Sequence, residues 1–115
     1  MKEIFIVEDD DGIRELLEFL LMSNDYAVQT FPTARAFENR QPDKKPDLFL
    51  LDIMLPDGNG LDICKQLKDA SSTRNIPVVL MSAHAHISSL EGANDFIAKP
   101  FDVDDLVVRI ERQLA

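Results

Sequence analysis

The chain is short of cysteine, of basic charge and of long apolar runs, and each shortage removes a class of function. Cys64 is the only cysteine, so no internal disulfide can form and no zinc site can be built from thiolates. Lys and Arg number 12 against 21 Asp and Glu, a net charge of -9. Direct nucleic-acid binding is therefore not expected, because it needs clustered Lys and Arg; a cation or a basic protein patch remains compatible with this charge. No apolar stretch is long enough to span a membrane, and no signal peptide opens the chain. A reducing, cytoplasmic location is the expectation. Linkers, repeats and low-complexity segments are also missing, and Asp43-Lys44-Lys45 reads as a loop. The 115 residues suit one domain, 1–115, near the modal size. A hydrophobic content of 45% is ordinary for a globular chain.

What is present is an alternation of strands and helices. Ile4 to Val7 is a short, β-branched apolar run, followed by Glu8-Asp9-Asp10-Asp11 and then Ile13, Leu16, Leu17, Leu20 and Leu21 at helical spacing. Acids favour a helix start, but four in a row exceed what capping needs, so part of the cluster should face something positive. Tyr26 to Gln29 reads as a second strand, and Thr33 can cap a brief helix carrying Ala34 and Phe37. The central strand is Asp47 to Leu51, a solid apolar run ended by Asp52 and broken by Pro56 and Gly58. Such a run fits a strand covered on both faces. Asn59 or Gly60 opens a helix with Leu61, Cys64, Leu67 and Lys68 along one side; Cys64 there reads as core. Ile76 to Met81 and Asp95 to Ala98 are the fourth and fifth strands. Asp102 caps a last helix with Asp105 three residues on, its apolar face being Val103, Leu106, Val107, Ile110 and Leu114.

Five strands alternating with helices predict a parallel α/β sheet with right-handed crossovers and helices on both faces. In that architecture all strand ends open on one edge. Glu8, Asp9, Asp52, Ser82 and Lys99 should therefore converge there. Three carboxylates, a hydroxyl and an ammonium suit a particular job. Carboxylates are hard oxygen ligands of the kind Mg²⁺ takes alongside waters and phosphate oxygens. Lysine is a compact donor for a phosphoryl oxygen, and a carboxylate can form an acyl phosphate. The set points to Mg²⁺-dependent acceptance of a phosphoryl group on an aspartate. Asp10 and Asp11 read as solvated helix-start acids and Asp57 as part of a turn with Gly58. His84 and His86 do not make a metal pair.

With these residues in place, the chain resembles the receiver domain of bacterial two-component response regulators. Glu8-Asp9, Asp52 with Met54-Leu55-Pro56-Asp57-Gly58, Met81-Ser82-Ala83 and Lys99-Pro100-Phe101 match that family's motifs in order over essentially the full length. The resemblance implies a flavodoxin-like (βα)5 three-layer sandwich with strand order 2-1-3-4-5. It implies that Asp52 is the phosphoacceptor, that Asp9 ligates Mg²⁺ directly, that Glu8 does so mostly through water, and that the Met54 carbonyl is a further ligand. Ser82 would bond a phosphoryl oxygen, and Lys99 would pair with Asp52 and then with the phosphoryl group. A cis bond before Pro100 fits the same pattern. The partner implied is a histidine kinase or a histidine phosphotransfer protein, and the domain is a switch with slow self-dephosphorylation rather than a turnover enzyme.

Two departures stand out. Phe96 occupies a place where the family has Tyr or Phe, and lacks a hydroxyl. Between Ser82 and Lys99 the chain is about five residues short of the family's length, so the fourth crossover helix is expected to be unusually short, roughly two turns at most. That puts in question a homodimer or effector contact through the face of the fourth helix, fifth strand and fifth helix. A phosphatase of the haloacid dehalogenase kind wants a second Asp two residues past the nucleophile, where Met54 stands. A non-signalling flavodoxin-like scaffold predicts loss of Asp9, Asp52 or Lys99, and all three are present.

Overall fold

Apolar runs without alternation are buried from both sides, and the sheet is built from them. The computed structural model of the protein describes residues 1–83 and 90–115. Five parallel strands, β1 (Glu3–Val7), β2 (Ala27–Phe31), β3 (Leu48–Asp52), β4 (Val78–Ser82) and β5 (Asp95–Ala98), lie in the order β2-β1-β3-β4-β5. This is the order 2-1-3-4-5 expected of a flavodoxin-like fold. Successive residues of a strand point to opposite faces, so each run feeds two cores. Phe5, Val7, Phe49, Leu51 and Leu80 meet α2 (Ala34–Glu38) and α3 (Gly60–Asp69) on one face. Ile4, Ile6, Leu48, Leu50, Val79 and Met81 meet α1 (Asp11–Ser23) and the C-terminal helix α4 (Val103–Leu114) on the other. The first core holds a chain of edge-to-face rings, Phe5 with Phe31 at 5.4 Å and Phe37 with Phe49 at 5.8 Å between centroids.

All four described helices begin at a side-chain cap: Asp10 accepts from Ile13 N, Thr33 from Ala36 N, Asn59 from Leu61 N and Asp102 from Asp105 N. Only half of the expected capping box forms, since the Asp105 carboxylate turns to Arg109 Nε at 2.9 Å.

Strand limits differ from the sequence expectation in β1, which begins one residue earlier at Glu3, and in β2, β3 and β4. β2 starts at Ala27 and continues to Phe31, because the Tyr26 amide is taken by the Leu21 carbonyl while Val7 pairs in register with Phe31. β3 runs one residue later than expected, because the Asp47 carboxylate accepts from Glu3 N at 2.7 Å. β4 starts at Val78, since Ile76 N closes a turn on Thr73 O and Pro77 has no N–H to give. The helix faces differ as well. Leu16 (44% exposed) and Val103 (39%) point outward, while Ile63 is buried on α3 beside Cys64 and Leu67. The line along which α1 meets the sheet passes through Leu17 and Leu21, and Leu16 lies one residue, hence about 100°, round the helix. The expectation of a short fourth crossover helix, with His84 and His86, falls on residues outside the described ones. Leu90 and Ala93 pack against the first core, and Asn94 leads into β5, its amide donating to Val78 O at 2.8 Å and its side chain accepting from Lys68 Nζ. No described helix is long and apolar enough to cross a membrane.

Candidate functional site

Because β1, β3 and β4 are neighbours and parallel, their carboxyl ends lie side by side. Glu8 follows β1, Asp52 and Ser82 are the last residues of β3 and β4, and Lys99 follows β5. Asp52 pairs in register with Met81, and Ser82 with Ala98. The β5 end is drawn in by Lys99 N donating to Ser82 O at 2.8 Å. Helix α3 starts hard against the Asp52 backbone: a Cβ on Gly60 would lie 2.2 Å from Asp52 O, so only glycine fits there. The Lys99–Pro100 bond is cis, as the resemblance implied.

The charged groups meet around Lys99. Its Nζ donates to Glu8 Oε1 at 2.6 Å and to Asp52 Oδ2 at 3.0 Å. Asp52 Oδ1 accepts from Met54 N at 3.2 Å, and Glu8 Oε2 from Asp10 N at 3.1 Å. Glu8 and Asp52 are buried, while Asp9 is exposed beside them. One carboxylate oxygen from each of the three lies within 4.8 Å of the others. They border an open cleft of about 410 Å³ whose other walls include Lys99, Met54 and Ala83. A hollow of about 270 Å³ between α2 and α3, lined by Phe37, Ile63 and Leu67 among others, gathers no such set of charges.

Burial pushes the Glu8 carboxyl up to about 7; hydrogen bonds from Lys99 and the Asp10 amide oppose this, and the Asp52 charge adds to it. Burial alone would lower Lys99, but its bonds to Glu8 and Asp52 outweigh that and its pKa is raised. Hard oxygen donors this close together repel unless a cation joins them, so the donor set fits a small divalent metal ion.

Residues 4–111 match the family described as the response regulator receiver domain. The chain belongs to that family. The receiver domain is 34% identical over 119 residues to Response regulator ArlR of Staphylococcus epidermidis, covering 99% of this chain and 53% of that protein. It is 40% identical over 115 residues to the phosphate regulon transcriptional regulatory protein PhoB of Escherichia coli K12, covering 96% and 50%. The chain therefore spans about half the length of these curated relatives. Its fold superposes with a TM-score of 0.89 on the crystal structure of response regulator protein TrrA from Thermotoga maritima in complex with Mg²⁺-BeF, at 27% identity, over 99% of this chain and all of that one.

Every described residue picked from the sequence stands at this edge of the receiver domain. Two others were not picked. Arg14 straps the acidic loop, its Nη1 donating to Glu8 O at 3.0 Å and its Nη2 to the Asp11 carboxylate; the Asp11–Arg14 spacing of three on a helix was the available signal. Asp57 lies in the turn expected of it, and its carboxylate also bonds to α2, which the sequence did not indicate.

Proposed function

We propose that residues 1–115 act as a phosphoacceptor switch in which Asp52 takes a phosphoryl group from a phosphohistidine on a histidine kinase or phosphotransfer protein. The observation that carries this is the Asp52 carboxylate: buried at the end of the central strand, held on one oxygen by Lys99 and on the other by Met54 N, and open to the cleft that Glu8 and Asp9 share. A carboxylate oxygen of Asp52 attacks phosphorus. The P–N bond to the donor imidazole breaks, its electron pair leaves with the nitrogen, and that nitrogen takes up a proton. Lys99 can follow the charge from the carboxylate to the phosphoryl oxygens, and Ser82, at the adjoining strand end, is the proposed hydroxyl donor to one of them.

Mg²⁺ is the proposed cation, held by Asp9, Asp52 and the Met54 carbonyl with Glu8 behind them, and when bound it neutralises the charge gathering on the transferred group. The Mg²⁺-BeF complex of the similar TrrA supports that choice of metal. The receiver fold supports the reading as a switch rather than a turnover enzyme. Intact mass after incubation with a small acyl phosphate and Mg²⁺ tests the proposal: a gain of one phosphoryl unit in the parent and none in Asp52→Asn is expected. A stoichiometric adduct in Asp52→Asn overturns it.

A further inference from the structure

Asp57 stands exposed at the tip of the loop between β3 and α3. Its carboxylate leaves that loop altogether. Oδ1 accepts from Ala34 N at 2.9 Å and Oδ2 from Arg35 N at 3.0 Å, the first two amides of α2. Opening amides of a helix have no partner within it, and Thr33 Oγ1 takes the next, Ala36 N. The caps of α2 thus come from two places, one local and one more than twenty residues away. The bonds from Arg35 and Ala34 hold the Asp57 carboxyl below its ordinary range. A second contact runs alongside: a Cβ on Gly58 would lie 2.9 Å from Ala34 Cβ.

Elsewhere the loop is held at its base. Ile53 N donates to Met81 O and Gly60 N to Ile53 O, both at 2.9 Å. A two-residue antiparallel ladder pairs Met54 with Asn59 and Leu55 with Gly58. Met54 sits in that ladder and gives its amide to Asp52 Oδ1. A continuous set of bonds therefore runs from α2 through Asp57 and the ladder to Met54 and Asp52.

We propose that Asp57 is a positioning residue for the phosphoacceptor site: by tying the loop tip to α2, it keeps the Met54 backbone where its amide orients Asp52 and its carbonyl is available to the cation. This rests on the cation site described under the proposed function. Removing Asp57 leaves every proposed ligand in place but releases the tip, so the loss falls on metal affinity more than on folding.

Calorimetric titration with Mg²⁺, alongside the melting temperature, tests this in the parent, Asp57→Ala, Asp57→Asn, Thr33→Ala and Asp9→Asn. Asp57→Ala should weaken Mg²⁺ binding by about tenfold, the low end for loss of a residue that orients a ligand. Asp57→Asn keeps one acceptor and should fall between it and the parent. Thr33→Ala removes a cap from the same helix without touching the loop, so it should lower the melting temperature and leave Mg²⁺ affinity unchanged. Parent-like affinity in Asp57→Ala, or an equal loss in Thr33→Ala, overturns the proposal. Asp9→Asn separates the two levels. If it binds Mg²⁺ as the parent does, the cation site is wrong and the positioning role falls with it; if it loses binding while Asp57→Ala does not, only the positioning role falls.

Discussion

Lys99 sits nearer to Glu8 than to Asp52, with Nζ to Glu8 Oε1 at 2.6 Å and to Asp52 Oδ2 at 3.0 Å. One ammonium serves two buried carboxylates, and this unequal sharing decides how the site responds to substitution, pH and metal.

Lys99→Met would leave both carboxylates buried without their cation. Breaking a buried ion pair from one side costs roughly 3 kcal/mol or more, so metal-free Lys99→Met should lose about that much in urea unfolding at pH 8. The loss should shrink at pH 6, where Glu8 can take a proton instead. A loss below about 1 kcal/mol at pH 8, the range of exposed pairs, would show that Lys99 does not hold the acids together.

Glu8, raised from 4.5 to about 7 chiefly by burial, binds a proton more readily in the folded chain than in the unfolded one. Its protonation therefore favours folding most fully below pH 4.5, and that contribution is lost as pH climbs to about 7. The effect is on the order of 3 kcal/mol, with the opposing pull of Lys99 already included in that value. Metal-free stability measured across this window should fall with rising pH, and Glu8→Gln should flatten the slope. An unchanged slope in Glu8→Gln would assign the titration to another group.

Asp9 differs from its two neighbours in being exposed. Its repulsion toward Glu8 and Asp52 is screened, so Asp9→Asn should raise the metal-free melting temperature only slightly, by about 2–4 °C. Saturating Mg²⁺ should stabilise the parent by mass action and barely move the variant. A full Mg²⁺ response in Asp9→Asn would remove it from the ligand set.

Met54 is 55% exposed and walls the cleft two residues past Asp52. Hydrolysis of an acyl phosphate needs a water held in line with phosphorus, and a thioether is a weak acceptor for placing one. Phosphoprotein decay after donor removal should be several-fold faster in Met54→Asn, on the order of an ordinary positioning effect. Equal or slower decay would dismiss Met54 as a brake.

The sequence by itself determined that strands and helices alternate and that Glu8, Asp9, Asp52, Ser82 and Lys99 fall at strand ends, because local apolar runs and parallel connections leave a single edge for those ends to share. Capping at Asp10, Thr33, Asn59 and Asp102 involves partners two or three residues away, so it is largely legible in the chain. Tertiary structure alone decided the partners of Lys99 and Asp57. Lys99 and Glu8 are 91 residues apart, and Asp57 and Ala34 are 23 apart; no local spacing encodes either bond. It also decided that Leu17 and Leu21 face the sheet while Leu16 faces water. Periodicity marks an apolar stripe, but the rotation of a helix about its axis is set by the surface it packs against.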